Sequence, residues 1–230
     1  MADEKKLFPA PRLILAALVA GVLAGAVAVY VSESRLGNAT PPQTVALDQT
    51  RDNALCAAKA GEAKTVAAAA TGQVAALLPA DPPQSLNSLS FDGPNGKPMS
   101  LADLSGKTVL LNLWATWCAP CRAEMPALDT LQKEMGGKTF EVVAINVDTG
   151  DADKPEKFLK EIGVENLAHY RDATMGVFNE AKTRGLALGL PVTMLVDGEG
   201  CLLAHMNGPA EWSSPDGKRL IEAALKNHSL

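Results

Sequence analysis

Apolar and polar positions divide the chain into stretches of different character. From Leu13 to Val31 no residue is charged, and the run is nineteen residues long. At 1.5 Å per helical residue it approaches the roughly 30 Å hydrocarbon layer of a bilayer, which predicts a transmembrane anchor over 13–31. Lys5, Lys6 and Arg12 precede the run, partly offset by Asp3 and Glu4, and Ser-Glu-Ser-Arg follows it. Basic flanks stay in the cytoplasm, so residues 1–12 are expected there and everything after Ser32 outside. Tyr30 falls where an interfacial aromatic belongs. Ala24-Gly25-Ala26 leaves a cleaved signal peptide open as the alternative, although the uninterrupted length favours an uncleaved anchor.

Residues 32–52 are polar, contain Pro41-Pro42 and read as a tether. Residues 53–80 hold an alanine-rich extension, with eleven alanines between Asn53 and Leu78 interrupted by Gly61 and Gly72. Alanine favours helix, so one helix or two short ones is expected, with Leu55, Val66, Val74 and Leu77 available to pack. Such small side chains bury too little area to stand alone as a domain.

A compact pattern then occupies 84–230. Ser85–Phe91 and Lys97–Leu101 flank the turn chemistry of Asp92-Gly93-Pro94-Asn95-Gly96 and predict an N-terminal hairpin. Thr108–Trp114 is continuously apolar, as a strand covered on both faces is. A helix follows from Ala119 to Met135, closed by Gly136-Gly137. Phe140–Val147 is the next buried strand, and Pro155–Ile162 and Thr174–Arg184 are helical by periodicity. Val192–Val196 and Leu202–Met206 form a second hairpin, and Pro215–Leu225 closes the chain. This order implies an α/β fold, a mixed sheet flanked by helices.

Length and charge narrow the classes. A chain of 230 residues allows one ordinary domain plus an extension. A net charge of −5 speaks against nucleic acid as a partner, because no basic excess supplies a phosphate-binding face. With 47% hydrophobic and 20% charged residues the chain is not wholly disordered.

Cys118-Ala119-Pro120-Cys121 sits where a buried strand meets a helix. The first turn of a helix has unpaired N–H groups and the positive end of the dipole, so a thiol there ionises more easily, from about 8.5 toward 7. Pro120 suits that turn because its missing N–H costs nothing. Cys118 is then the exposed nucleophile and Cys121 the buried resolving thiol, which breaks the mixed disulfide that Cys118 forms. The competing reading is half a zinc site. Two more ligands are needed, and Cys56, Cys201, His169, His205 and His228 stand singly. No metal and no resident cofactor are expected.

From Trp114 to Pro126 (WATWCAPCRAEMP) the chain resembles the thioredoxin superfamily, and more closely its membrane-tethered TlpA branch, which includes ResA-like and cytochrome-c-maturation reductases. The Asp92…Gly96-Lys97 turn, the Asp103–Lys107 lead-in, Asn112-Leu113-Trp114 and Gly189–Thr193 extend the likeness over roughly 86–225. The four-cysteine arrangement and the alanine-rich extension fit that branch too.

The resemblance implies a thioredoxin-like fold with an inserted helical segment. It also implies a cis bond at Leu190-Pro191 facing the sulfurs, and substrate contacts from Trp117, Pro120, Leu190 and Pro191. Trp114 and Trp117 are expected to shield the dithiol, and Pro126 to kink the helix. Two departures stand out: Asn112 and Ala144 occupy places where thioredoxin has a buried Asp and a Lys. Glu124, one turn past Cys121, is where the branch often carries a Glu, and a carboxylate there is placed to accept the Cys121 proton directly or through water. A solvated glutamate on a helix face is the other reading.

Cys56 and Cys201 remain. In an oxidising compartment pairing is the economical inference, and one buried and one exposed free thiol is the alternative. Asp148–Asp153 only superficially resembles a calcium loop, lacking its terminal Glu, and is expected to begin the inserted segment. Trp212 reads as a packed loop aromatic.

The expected activity is thiol–disulfide exchange by a single-pass inner-membrane protein with its catalytic domain in the periplasm. The resemblance implies reduction of exported clients, with electrons from a membrane thiol transporter. Expected clients are copper-site cysteines of cytochrome oxidase or its copper chaperone, or apocytochrome c haem-binding cysteines. Other classes are a copper-binding chaperone, a peroxidase and a non-catalytic adaptor.

Overall fold

The structure is a computed structural model that describes residues 42–227. The expected cytoplasmic N-terminus 1–12, the anchor 13–31, the tether up to residue 41 and His228 lie outside the described residues. No helix among the described residues is long and apolar enough to cross a membrane. The chain divides into units Met1–Ala46 and Leu47–Leu230, and every contact described below lies within the second.

Two strands carry the sheet because their sequences are apolar throughout. β4 (Thr108–Trp114) is buried at every position, and β5 (Phe140–Asn146) pairs with it in parallel. β7 (Val192–Val196) lies antiparallel on the other side of β4, followed by β8 (Leu202–Asn207). Shorter strands complete the sheet: β1 (Leu78–Pro79) on β8, β6 (Tyr170–Arg171) on β5, and the hairpin β2 (Ser90–Asp92) and β3 (Pro98–Ser100) beyond β6. The order is β1-β8-β7-β4-β5-β6-β2-β3.

The helices are α1 (Pro42–Ala57), α2 (Ala60–Ala67), α3 (Ala119–Met135), α4 (Asp153–Glu161), α5 (Gly176–Thr183) and α6 (Pro215–Asn227). α4 is the inserted segment between β5 and β6. α3 runs without a break through Pro126. Its end is closed by Gly136 through close approach, since a Cβ there would lie 2.4 Å from the Gln132 carbonyl, and not through a left-handed residue.

The expected segment boundaries change in two places, the tether and the first hairpin. Residues 42–52 are helical, where a tether was expected. Tertiary bonds hold the helix: Asn53 Oδ1 accepts from Ser85 N–H at 2.9 Å, and Gln49 Nε2 donates to Ser85 O at 3.3 Å. The alanine-rich part packs through Val66, Val74 and Leu77, which are buried in the same core as the sheet, whereas Leu55 is exposed. The first hairpin is shorter than its apolar pattern, Ser90–Asp92 against Pro98–Ser100.

Cys56 at the end of α1 and Cys201 before β8 form a disulfide, 145 residues apart. Beside it Lys59 Nζ reaches Asp197 Oδ2 at 2.6 Å and Glu199 Oε1 at 3.0 Å. Burial lowers the Lys59 pKa while the two carboxylates raise it, and the net shift is upward.

Candidate active site

The short link between β4 and α3 delivers the dithiol. The β4 strand ends at Trp114, and Asp148 accepts from Thr116 N–H at 3.3 and 3.1 Å through its two oxygens. Asn146 Nδ2 holds that carboxylate in turn at 3.0 Å. The acidic stretch starting at Asp148 therefore pins the loop before the cysteines as well as leading into α4.

Cys118 is the N-cap residue of α3 and is bonded to Cys121. The Cys121 N–H points at Cys118 Sγ at 3.3 Å. In the reduced pair that N–H favours the Cys118 thiolate, as does the helix end behind it. The expected contrast in exposure is small in this oxidised state: Cys118 is 6% exposed and Cys121 fully buried. Pro120 occupies the first turn and is exposed.

Antiparallel pairing of β4 with β7 sets Leu113 against Val192, so Pro191 stands at the end of the sheet from which the dithiol loop leaves. The Leu190–Pro191 bond is cis. Leu190 is half-buried, and Pro191 is buried with its carbonyl accepting from Gly208 N–H. Around this end two large apolar side chains face solvent, Trp117 (63% exposed) and Leu188 (85%). Trp114 is buried against Phe158.

Glu124 does not lie on a solvated face. It is 3% exposed. Three donors meet its carboxylate: Asn112 Nδ2 at 2.8 Å on Oε1, and Ala210 N–H and Trp212 Nε1, both at 3.2 Å, on Oε2. Burial pushes its pKa up and the three hydrogen bonds pull it down; burial wins, leaving it at about 7. A buried acid at that value can hold or release a proton at neutral pH. Asn112 Nδ2 also donates to Thr193 Oγ1 at 2.9 Å, tying Glu124 to β4 and β7 together. Ala144 lies opposite Asn112 in β5, so the two departures from thioredoxin are neighbours.

The sequence reading of Trp212 as a packed aromatic captured its burial and missed its polar contact. The residue is fully buried and is also a hydrogen-bond donor to Glu124. A tryptophan in a polar loop next to a helix start was the only signal available.

A Redoxin family model matches residues 80–221. Over 111 residues the chain is 40% identical to "Thioredoxin-like protein YneN" of Bacillus subtilis, a match covering 47% of this chain and 61% of the relative. It is 34% identical over 114 residues to "Thiol-disulfide oxidoreductase ResA" of the same organism, covering 50% and 60%. These alignments span about three fifths of the length of the curated relatives. A solved structure, a "putative Thiol:disulfide interchange protein DsbE" from Chlorobium tepidum, superposes with a TM-score of 0.52 at 28% identity, covering 61% of this chain and 95% of that one.

Proposed function

The chain belongs to the Redoxin family, and from that premise we propose that it is a thiol–disulfide oxidoreductase working as a reductant of exported proteins. Within the family the reading is TlpA itself, on the four-cysteine arrangement and the alanine-rich extension. The observation that carries the activity is a disulfide at a helix N-terminus three residues from a buried acid with a pKa of about 7.

The reduced Cys118 thiolate attacks one sulfur of a client disulfide, and the other client sulfur leaves as a thiolate. Glu124 takes the Cys121 proton. The Cys121 thiolate then attacks Cys118 Sγ, the second client sulfur leaves, and the Cys118–Cys121 bond of the structure results. Two electrons have passed to the client. A membrane thiol transporter returns them by reducing that bond. Trp117, Pro120, Leu190 and the Pro191 backbone receive the client strand.

The uncharged run at 13–31 supports an inner-membrane anchor, with the N-terminus in the cytoplasm and this domain in the periplasm. The preferred clients are copper-site cysteines in cytochrome oxidase biogenesis, on the four-cysteine likeness. Apocytochrome c haem-site cysteines are the second reading, supported by the likeness to proteins named ResA and DsbE.

The test is a Cys121→Ser trap in cells, which strands clients on Cys118. Copper-site proteins in the catch support the first reading and apocytochromes the second. A full-length chain that binds copper stoichiometrically but fails to reduce insulin disulfides would overturn both in favour of a copper chaperone.

A further inference from the structure

Three segments meet at the end of the sheet where the dithiol stands: 114–121, 186–192 and 206–210. Register brings them there, with Leu113 opposite Val192 and Val192 opposite Asn207. None of the three contains an Asp, Glu, Lys or Arg. Their exposed members are Trp117, Ala119, Pro120, Leu188, Gly189 and Pro209. Charge begins at the borders, with Arg122, Glu211 and the mixed charges of the groove beside Thr116: Asp151, Lys154, Lys157 and Glu161. Among the described residues four large apolar side chains are exposed, and two of them, Trp117 and Leu188, belong to this surface. Exposed apolar surface gathered around a reactive bond marks a site of interaction.

Leu188 is the more exposed of the two, yet its backbone is fixed. Asn207, at the end of β8, accepts from Leu188 N–H through Oδ1 at 2.7 Å and donates from Nδ2 to Leu186 O at 3.0 Å. Gly208, the next residue, donates its N–H to Pro191 O at 2.9 Å. Leu186 and Ala187 are buried directly before Leu188. One amide side chain therefore clamps the loop on both sides of Ala187 and holds the leucine out in water. A partner that covers a side chain so presented gains apolar burial and has little left to order. The occupant follows from the chemistry. A client held on Cys118 by a mixed disulfide lays the residues around its own cysteine over this surface. In an extended segment side chains alternate, and residues two apart face the same way, roughly 7 Å from each other. With its cysteine facing Cys118, a client strand thus turns the residues two before and two after toward this protein.

We propose that Leu188, positioned by Asn207, is a specificity residue that selects clients carrying a large apolar side chain two residues from the reactive cysteine. This preference rests on the reading of the chain as a reductant of exported proteins and adds to it the client sequence that is favoured. Trp117 supplies the second apolar contact. Asn207 is a positioning residue, acting only through the loop it holds.

The experiment uses the reduced full-length chain and heptapeptides whose central cysteine carries a thionitrobenzoate group in disulfide linkage. Attack of the Cys118 thiolate on the peptide sulfur releases thionitrobenzoate, which is read by its absorbance. The positions two residues to either side of the cysteine are both Leu, both Ser or both Asp. Every rate is divided by the same protein's rate with dithiobis(nitrobenzoate), which has no peptide to recognise. The expected result is a preference of about tenfold or more for Leu over Asp, with Ser between them, since covering a leucine is worth at least that factor. Leu188→Ser, at an exposed position, and Asn207→Ala should each cut that preference by about threefold or more. A fall in stability alone lowers all rates together and leaves the ratio where it was. Equal rates for the three peptides, faster reaction of the Asp peptide, or a ratio unmoved in either variant overturns the proposal while the reductant reading stands. A chain that reduces neither the nitrobenzoate reagent nor insulin overturns both.

Discussion

The indole N–H of Trp212 donates to Oε2 of Glu124 at 3.2 Å, joining two residues 88 positions apart. A donor on a carboxylate favours its ionised form, so this bond opposes the burial that raises the Glu124 pKa. Trp212→Phe keeps an aromatic ring and removes the donor. The Glu124 titration, followed by carboxyl ¹³C shifts, should move above about 7. An unmoved midpoint would mean that the contact does not tune the acid.

Stability should carry the mark of the same acid. Its folded pKa of about 7 lies above the ordinary 4.5, so between those values the folded state keeps a proton that the unfolded state has released. Stability therefore falls as pH rises through that window and levels off above it, a loss of roughly 3 kcal/mol for a shift of this size. Urea unfolding with both disulfides intact should show this decline from pH 5 to 8. Glu124→Gln should flatten it, and an identical slope in that variant would remove Glu124 as its source.

Resolution of the mixed disulfide provides the kinetic counterpart. Positioned acid–base groups contribute on the order of 10²-fold or more. In rapid-mixing measurements Glu124→Gln should slow release of client from Cys118 by about that factor and erase an inflection near pH 7. Its Cys118 alkylation rate should change far less. Equal release rates at all pH values would exclude the proton relay.

Closing the loop between Cys56 and Cys201, 145 residues apart, restricts the unfolded chain strongly. In the chain-entropy model the contribution is up to about 5 kcal/mol. A Cys56→Ala, Cys201→Ala double variant should unfold at much lower denaturant, while its Cys118–Cys121 pair still reduces insulin. Unchanged unfolding midpoints would show that the bond adds no stability.

Gly217 seats the Trp212 loop on α6. A Cβ there would fall 2.2 Å from the Trp212 carbonyl oxygen, which is backbone and cannot swing away. Gly217→Ala should cost roughly 1–3 kcal/mol, the usual penalty for overpacking. It should also disturb Glu124 by displacing its donor. Calorimetry together with the Glu124 titration checks both effects, and a neutral substitution on both counts would contradict the geometry.

The long elements were legible because each carries its own local signal. β4 is an unbroken apolar run, α3 has Cys118 as its cap with Pro120 in its first turn, and β7 follows a proline; their observed bounds match the expected ones. β1 and β6 have two residues each, too few for any periodicity, and exist through partners far away in the chain. α1 escaped because its stability comes from Ser85 and Cys201 rather than from its own sequence. At the site, the spacing of Cys118 and Cys121 was readable, as was the position of Glu124. Its burial was not, because the groups that enclose it come from β4, the loop at Ala210 and Trp212, which only the fold brings together.

The covalent link from Cys56 to Cys201 also sets how the molecule bears mechanical load. Tension applied on the N-terminal side of Cys56 crosses directly to Cys201 at the head of β8, because a sulfur–sulfur bond yields long after packed alanines would. Residues 57–200, which include Cys118, Cys121 and Glu124, form a loop outside that force path. A pull on one end can thus strain the last strand and α6 while the redox pair rests unloaded.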